Sequence, residues 1–395
     1  MQHLLSKKAY TNKYVPQKII IATVTAILPQ IAFSDDTLPE VAVTTTNIQS
    51  DKSSEKTKSY TVNSTVSATR LDTSLPETPQ SISIITRELI DDFKLNNVND
   101  VLDYATGIKV ERFEPTRTNY TARGSYITNF QIDGLGTPFA QGLVFGDLDT
   151  ATYDRIEVLR GANGLLTGTG NPSATINFIR KRPTKDFRAK VGVSAGSWDY
   201  RRLDVDVSGL LNEMGSLRGR LVLANMNQDS YLDRYSMERN VAYGIIEVDI
   251  TNSTQVALGH TYQKHDADGN MWGSYPLLND DGTKRNFKRS DSTVPNWSYW
   301  DTAENNTFAE LTHYFDNEWK LKTQVTRKEL ISDSRILYAS QDSSSPTNLY
   351  AYLGKYHDVV NEWVADAYVS GPFSLAGRKH ELVFGLNWSK SIITE

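Results

Sequence analysis

Beyond Phe187, apolar and polar side chains alternate at every second position along the chain. The run from Arg188 to Ala195 carries alanine and valine at every other position, with arginine, lysine, glycine and serine between them. Because successive side chains of a β-strand point to opposite faces, such a run predicts a strand with one apolar and one polar face. The same pattern recurs up to Glu395 and predicts about nine strands.

The links between these strands alternate in length. Outer-membrane barrels join their strands by short turns on the periplasmic side and by longer loops on the outer side. Arg202, Asp204 and Asp206 share one face of their strand, as expected where a barrel lumen is polar. We therefore favour a transmembrane barrel, and a soluble β-protein is the alternative. The short links are residues 212–216, 251–253, 316–317 and 371–378, and the long links are residues 228–240, 266–304 and 340–356.

Residues 60–185 predict a compact α+β domain instead. Its short elements mix strand alternation with helical segments, and several of them stop at glycine. Gly107 is placed to end the second helix as a C-cap. The predicted strands are residues 81–85, 130–134 and 155–161, and the predicted helices are residues 86–90 and 99–104.

The N-terminus predicts export. Lysines precede a short apolar run, residues 19–28, which is followed by small residues, so residues 1–34 are interpreted as a secretory signal peptide. The apolar run is about half the length of a membrane-spanning helix. Residues 35–59 are polar and predicted to be disordered. Within them, residues 37–44 are typical of a segment that adds a strand to a partner's sheet, and a featureless tail is the alternative.

No catalytic, metal-binding or nucleotide-binding motif is found in the sequence. The glycine-rich stretch at residues 159–183 lacks the third glycine of a dinucleotide fingerprint and the Lys-Ser/Thr pair of a phosphate loop. The six histidines include no HExxH pair, and residues 266–270 place glycine wrongly for a calcium loop. A net charge of −5 argues against nucleic-acid binding. We expect neither enzyme activity nor a metal site.

Several short motifs in residues 35–395 resemble the TonB-dependent outer-membrane receptors. Five of them look like plug-domain motifs, and two loop motifs look like the ferric-coprogen and rhodotorulic-acid receptors, which import hydroxamate siderophores. The plug motifs are residues 79–85, Arg123-Gly124, Ile132-Asp133-Gly134, residues 155–161 and residues 168–174, and the loop motifs are residues 229–235 and residues 271–273 with Trp297.

The resemblance implies a membrane all-β fold with an α+β plug (60–185), followed by about nine of 22 strands of an antiparallel transmembrane barrel (186–395). It implies a monomer in the Gram-negative outer membrane, in contact with lipid, that imports a ferric siderophore and has no cofactor. Energy would come from TonB and its ExbB/ExbD complex. The expected TonB-pairing segment is Thr37, Leu38, Pro39, Glu40, Val41, Ala42, Val43 and Thr44.

We expect the siderophore to contact aromatic side chains and a few hydrogen-bond donors on the outer side. Trp272 is favoured because it matches the tryptophan of the family's loop motif. Aromatic girdles at barrel interfaces are the alternative explanation for the loop aromatics. Arg117 either donates to siderophore carbonyls or pairs with a plug carboxylate. The candidate residues are Arg117, Tyr120, Tyr126, Phe139, Gln141, Trp272, Tyr275 and Trp297.

Nine strands cannot close around a plug, because an open barrel leaves unpaired backbone groups in lipid. We therefore expect the chain to be a truncated gene product or fragment that does not transport alone. Another cargo, such as haem, cobalamin or a different ferric siderophore, is the nearest alternative. A secreted soluble β-protein or an outer-membrane enzyme is the alternative from another class.

Overall fold

The computed structural model of the protein describes residues 53–137, 143–162, 172–342 and 348–395. The predicted signal peptide and the predicted TonB-pairing segment, residues 37–44, lie outside the described residues. None of the helices in the described ranges is long and apolar enough to span a membrane.

The N-terminal domain contains short helices and strands arranged in small sheets. One sheet has the strand order β3-β10-β11-β7-β8, and a second joins β4, β5, β6 and β9. Strand β1 pairs only with β2 among the described residues. The elements are α1 (Ser54–Thr57), β1 (Ser64–Thr65), β2 (Thr73–Ser74), β3 (Ser81–Thr86), α2 (Arg87–Asp92), α3 (Val98–Tyr104), β4 (Lys109–Arg112), β5 (Arg117–Ala122), β6 (Ser125–Tyr126), β7 (Asn129–Ile132), β8 (Leu135–Gly136), β9 (Val144–Phe145), β10 (Tyr153–Arg160) and β11 (Ala174–Arg180).

Local sequence explains where these elements begin and turn. Thr86 and Asn97 cap α2 and α3, because their side chains accept backbone N–H groups at the helix starts. The hairpins β5–β6 and β7–β8 each turn through two residues with positive φ, Arg123-Gly124 and Asp133-Gly134. The core between the sheets and helices consists of buried apolar side chains, among them Ile90, Val101, Leu102, Ile156 and Ile176.

The C-terminal part is an antiparallel sheet of nine strands in sequence order. The alternating pattern is confirmed, because Val191 and Val193 lie exposed on one face while Arg202 is buried on the other. The sheet consists of β12 (Arg188–Ala195), β13 (Arg201–Leu210), β14 (Leu217–Asp229), β15 (Ser236–Thr251), β16 (Thr254–Asp268), β17 (Tyr299–Tyr314), β18 (Lys320–Gln341), β19 (Leu349–Leu375) and β20 (Arg378–Thr394).

Two of the predicted long links are shorter in the structure. Strands β14 and β15 continue their pairing to Asp229 and Ser236, and β18 and β19 remain paired to Gln341 and Leu349. Among the links of this sheet that the structure describes in full, only the one between β16 and β17 is a long loop, residues 269–298, which we call the β16–β17 loop. Backbone hydrogen bonding between neighbouring strands therefore continues into segments where the sequence had predicted loops.

The buried face of the sheet holds the N-terminal domain mainly through ion pairs. Arg202 of β13 binds Asp149 at 2.7 Å. Arg182, just before the sheet, binds Glu310 of β17 at 2.9 Å. The predicted polar inner face is thus confirmed for Arg202, and its charges are neutralised by the domain that it surrounds. Lys181 binds Asp206 of β13 at 2.8 Å in the same way.

The predicted disordered tail is wrong at its C-terminal end. Residues Ser54–Thr57 form α1, and Ser54 is fully buried. The Asp154 carboxylate accepts the Ser54 backbone N–H at 2.9 Å, and Glu55 binds Arg220 of β14 at 2.7 Å. Helix α1 is therefore attached to both the domain and the sheet.

Candidate ligand-binding site

The base of the β16–β17 loop is attached to the N-terminal domain. Thr116 donates from its hydroxyl to Asn270 Oδ1 at 2.9 Å, and Asn270 is fully buried. Ser298 closes the loop by donating its hydroxyl to the Asn270 carbonyl oxygen at 2.6 Å. The two ends of the loop and the domain beneath it therefore form one hydrogen-bonded unit.

Glu114 is the second attachment point. Its side chain is completely buried, and its carboxylate accepts two hydrogen bonds from the Arg117 guanidinium, at 2.7 and 2.8 Å. One carboxylate oxygen also accepts the Gly273 backbone N–H at 2.9 Å. A buried carboxylate requires such compensation, so Glu114 fixes both the arginine and the loop segment next to Trp272.

Trp272 lies in a group of aromatic side chains, which we call the Trp272 cluster. Its ring centroid lies 5.8 Å from that of Tyr338, 5.9 Å from that of Tyr352 and 5.4 Å from that of Tyr356. Tyr338 and Tyr352 are directly paired across β18 and β19, and Tyr356 pairs with Ser334 on the same, inner face. Tyr352 remains 56 % exposed. The cluster thus presents accessible aromatic surface inside the sheet, at the end where the long loop lies.

Trp300 of β17 lies against the N-terminal domain. Its indole N–H donates to Ser332 Oγ at 2.9 Å, which fixes the ring on the inner face. The Arg117 guanidinium lies over the ring, 5.2 Å from the centroid, and the ring of Phe145 lies 6.2 Å from it. Flat aromatic faces with a few fixed donors are the usual composition of a small-molecule site.

Arg117 pairs with a carboxylate of its own domain, which was one of the two alternatives left open by the sequence. The outward position expected for Tyr120 is wrong. Tyr120 is only 1 % exposed, and its hydroxyl donates to Asn99 Oδ1 at 2.7 Å within the domain core. Burial raises its pKa far above the ordinary value for tyrosine. Tyr126 is exposed on β6.

The remaining predicted residues are placed as follows. Tyr275 stacks on Phe287 within the β16–β17 loop, with centroids 4.2 Å apart, and Trp297 is partly exposed near the end of the loop. Phe139 and Gln141 lie outside the described residues. The structure thus brings Arg117 and Trp272 to the same region through Glu114 and leaves Tyr120 out of it.

Sequence reasoning missed Glu114 and the three tyrosines of the Trp272 cluster. Tyr352 and Tyr356 were assigned to a loop, although they are separated by an even number of residues, as on one face of a strand. The role of Glu114 depends on Gly273, which is distant in sequence, so no local signal indicated it.

Replacing Gly269 with alanine is expected to displace the β16–β17 loop. Gly269 has a φ of +62°, and an added Cβ would lie 1.9 Å from the Arg234 carbonyl oxygen. Gly282 is the matched control, since it has a φ of +80° in the same loop but open space around the Cβ position. We expect Gly282→Ala to destabilise the loop by about 1–2 kcal/mol, the cost of a left-handed conformation for a residue with a Cβ, and Gly269→Ala by clearly more. The protease sensitivity of the loop compares the two variants. Equal sensitivity of the two variants would contradict the close approach.

Comparison with known proteins identifies the fold. Residues 74–175 match the TonB-dependent Receptor Plug Domain family. The structure of the ferripyoverdine receptor of the outer membrane of Pseudomonas aeruginosa, bound to ferripyoverdine, superimposes with a TM-score of 0.81 at 40% identity, over 86% of this chain and 46% of that one. The chain has the plug-and-barrel fold of a TonB-dependent receptor. The N-terminal domain is its plug, and β12–β20 are barrel strands.

Other relatives of this chain are also named as receptors rather than enzymes. The curated ferripyoverdine receptor of Pseudomonas aeruginosa is 40% identical over 93% of this chain and 46% of its own length. The alcaligin outer-membrane receptor of Bordetella pertussis has a TM-score of 0.62 and 30% identity, over 87% of this chain and 60% of that one. The chain spans about half the length of the curated relatives it matches. The names of these relatives refer to pyoverdine and alcaligin, not to coprogen.

Proposed function

We propose that the protein acts in the Gram-negative outer membrane as a TonB-dependent receptor for a ferric siderophore. The observation that carries the proposal is the Trp272 cluster, an accessible aromatic surface on the inner side of the barrel strands, attached to the plug through Glu114. Such a surface suits the flat chelate and amide groups of a siderophore. Iron would arrive as cargo, already chelated.

The proposed substrate class is a pyoverdine-type ferric siderophore. The similarity to ferripyoverdine receptors supports this choice, with 40% identity to one of them over 93% of the chain. The coprogen or rhodotorulic-acid subclass, which the loop motifs predict, is the second candidate within the same function. The proposed contact residues are Arg117, Trp272, Tyr275 and Trp297, with Tyr126 on β6. Phe139 and Gln141, which lie outside the described residues, stay predictions.

The proposed energy source is TonB with ExbB/ExbD, acting on a monomer through residues 37–44. Support comes from the plug domain match and from the position of α1, the first described element after that segment. Helix α1 is bound by Asp154 of the plug and by Arg220 of the barrel strands. A force applied to the preceding segment would therefore be transmitted to both the plug and the barrel strands.

Direct binding tests the proposal. The full chain, purified in detergent from outer membranes, is titrated with ferric pyoverdine, ferric coprogen and ferrioxamine B, and binding is followed with radiolabelled iron. We expect at least one ferric chelate to bind with a Kd below about 1 µM. Preference for ferric coprogen would replace the pyoverdine class. Binding of haem or cobalamin without any ferric chelate would contradict the siderophore function.

A further inference from the structure

A carboxylate lies beside the Trp272 cluster on the inner face of β19. Asp358 follows Tyr356 by two residues, so the two side chains share a face and are about 7 Å apart along the strand. Asp358 is also directly paired with Ser332 of β18, whose hydroxyl accepts the Trp300 indole N–H at 2.9 Å. Asp358 is therefore a neighbour of both Tyr356 and Trp300, at the end of the sheet where the cluster lies.

The charge of Asp358 is left without a protein partner. His357, its neighbour in β19, points to the opposite face and lies 3.2 Å from Asp333. Lys328, on the inner face of β18, binds Glu304 at 3.3 Å. Within the part of the chain that the structure describes, Asp358 forms no ion pair. Its carboxylate is therefore available to a ligand.

The cation nearest to the aromatic rings is already neutralised. The Arg117 guanidinium lies over the Trp300 ring, but it donates two hydrogen bonds to the buried Glu114 carboxylate, at 2.7 and 2.8 Å. The two charges cancel, so this pair adds no net charge to the site. Of these three ionised groups, Asp358 carries the charge that is not compensated. The aromatic surface therefore lies in a negative environment.

The Trp272 cluster has the composition of an aromatic cage that binds cations. The Trp272 ring meets the rings of Tyr338, Tyr352 and Tyr356 at interplanar angles of 67°, 50° and 71°, so no pair is stacked face to face. The three tyrosines remain 41%, 56% and 38% exposed. The faces of such rings carry negative partial charge and attract an ammonium or guanidinium group.

We propose that the Trp272 cluster and Asp358 together bind a cationic group of the ferric siderophore, such as a protonated amine or a guanidinium group. The inference rests on the receptor function proposed above and narrows its substrate class to ferric chelates that carry a positive charge. The rings would contact the cation, and the Asp358 carboxylate would accept a hydrogen bond from its N–H. Glu114 contributes by preventing Arg117 from repelling this cation.

The charge of the chelate decides between this ligand class and its alternatives. A neutral chelate can pack on the rings, but it would take water from the Asp358 carboxylate without supplying an opposite charge, which costs free energy. A chelate with an anionic group at this position would be repelled by Asp358. Only a cationic group gains from both the carboxylate and the ring faces.

The test compares two ferric chelates that differ by one charge. Ferrioxamine B carries a terminal ammonium group, and its N-acetyl derivative is neutral there and keeps the same iron-binding groups. The full chain in detergent is titrated with each, and binding is followed with radiolabelled iron. We expect ferrioxamine B to bind about 10-fold more tightly than the acetyl derivative. Asp358→Asn is expected to remove most of this preference by weakening the binding of ferrioxamine B alone.

Asp333→Asn is the matched control. Asp333 lies on the outward face of β18, where it pairs with His357, so the variant removes the same charge from outside the site. We expect it to leave both affinities within about 2-fold of the wild type. Asp358→Glu keeps the carboxylate and is expected to retain most of the preference. The far-UV circular dichroism of every variant is compared with that of the wild type.

Equal affinity for the two chelates, binding of neither, or a preference that persists in Asp358→Asn would overturn the proposal. So would an equal loss of ferrioxamine B binding in Asp333→Asn. The two chelates on the wild type keep the test decisive if Asp358→Asn does not fold. Ferric pyoverdine is titrated in parallel: if it binds while ferrioxamine B is not preferred, the receptor function stands without the cation site, whereas binding of no ferric chelate contradicts the receptor function itself.

Discussion

Replacing Asp149 with alanine is expected to destabilise the protein by about 3 kcal/mol, because Arg202 and Arg239 lose the buried carboxylate they share and Arg202 keeps only its contact with Asp204. The Asp149 carboxylate accepts hydrogen bonds from Arg202 at 2.7 and 3.0 Å, and Arg239 lies 3.4 Å away. All three side chains are at most 2% exposed. The measurement is the free energy of unfolding from denaturant titration in detergent micelles.

The control for this variant is Asp199→Ala, in the turn just before β13. Asp199 pairs with Arg201 at 3.6 Å, but both side chains are at least 75% exposed. Water screens such a pair, so we expect a loss below about 1 kcal/mol. If Asp149→Ala lowered the free energy of unfolding no more than Asp199→Ala, the buried pairs would not hold the plug to the barrel strands.

The same carboxylate makes the contact sensitive to acid. Burial alone raises the pKa of Asp149, but Arg202 and Arg239 outweigh it and hold the pKa below the ordinary value of 3.8. A lowered pKa in the folded state means that the stabilisation is complete above the unfolded-state pKa and is lost as pH falls through the folded-state value. The stability difference between the wild type and Asp149→Asn should therefore shrink below about pH 4.

Replacing Trp272 with alanine is expected to weaken ferric siderophore binding by about 10- to 100-fold. Removal of a contacting indole loses its apolar burial and its ring contacts, together about 1.5–3 kcal/mol. Its three tyrosine neighbours would also lose the ring that packs against them. Equilibrium binding of the radiolabelled ferric siderophore measures the effect without relying on tryptophan fluorescence.

Trp198→Ala is the matched control for Trp272. Trp198 is exposed in the turn between β12 and β13, outside the Trp272 cluster. We expect it to bind the siderophore normally, and we expect Trp272→Phe to restore most of the affinity. Normal binding by Trp272→Ala would show that the siderophore does not bind at the Trp272 cluster. Trp297→Ala would then test the other tryptophan of the loop.

The barrel strands could be predicted from sequence because their rule is local. Apolar and polar residues alternate within each strand, so the sequence alone places Val191 on the outward face of the sheet and Arg202 on the inward face. The helix caps Thr86 and Asn97 are local signals in the same sense. The ends of β18 and β19 could not be predicted, since pairing there depends on the partner strand rather than on apolar alternation.

The candidate site was only partly predictable, because its decisive contacts join residues far apart in sequence. Trp272 was identified through the resemblance of its loop, but its tyrosine partners are supplied by two other strands. Tyr120 has the residue type of a ligand contact, yet its hydroxyl is satisfied by Asn99 in the core. Helix α1 was missed for the same reason, because Asp154 holds it from 100 positions away.

The ion pairs between the plug and the barrel strands determine which groups become exposed if the two separate. At Asp149, Glu55 and Arg182 the facing groups are carboxylates and guanidinium groups, so water can solvate each of them once a pair opens. A contact made of leucines would instead expose apolar surface to water, at a free-energy cost of about 25 cal/mol per Å². Separation of the plug from the barrel strands at these three points therefore exposes groups that water can solvate, and the same ion pairs can form again when the two surfaces meet.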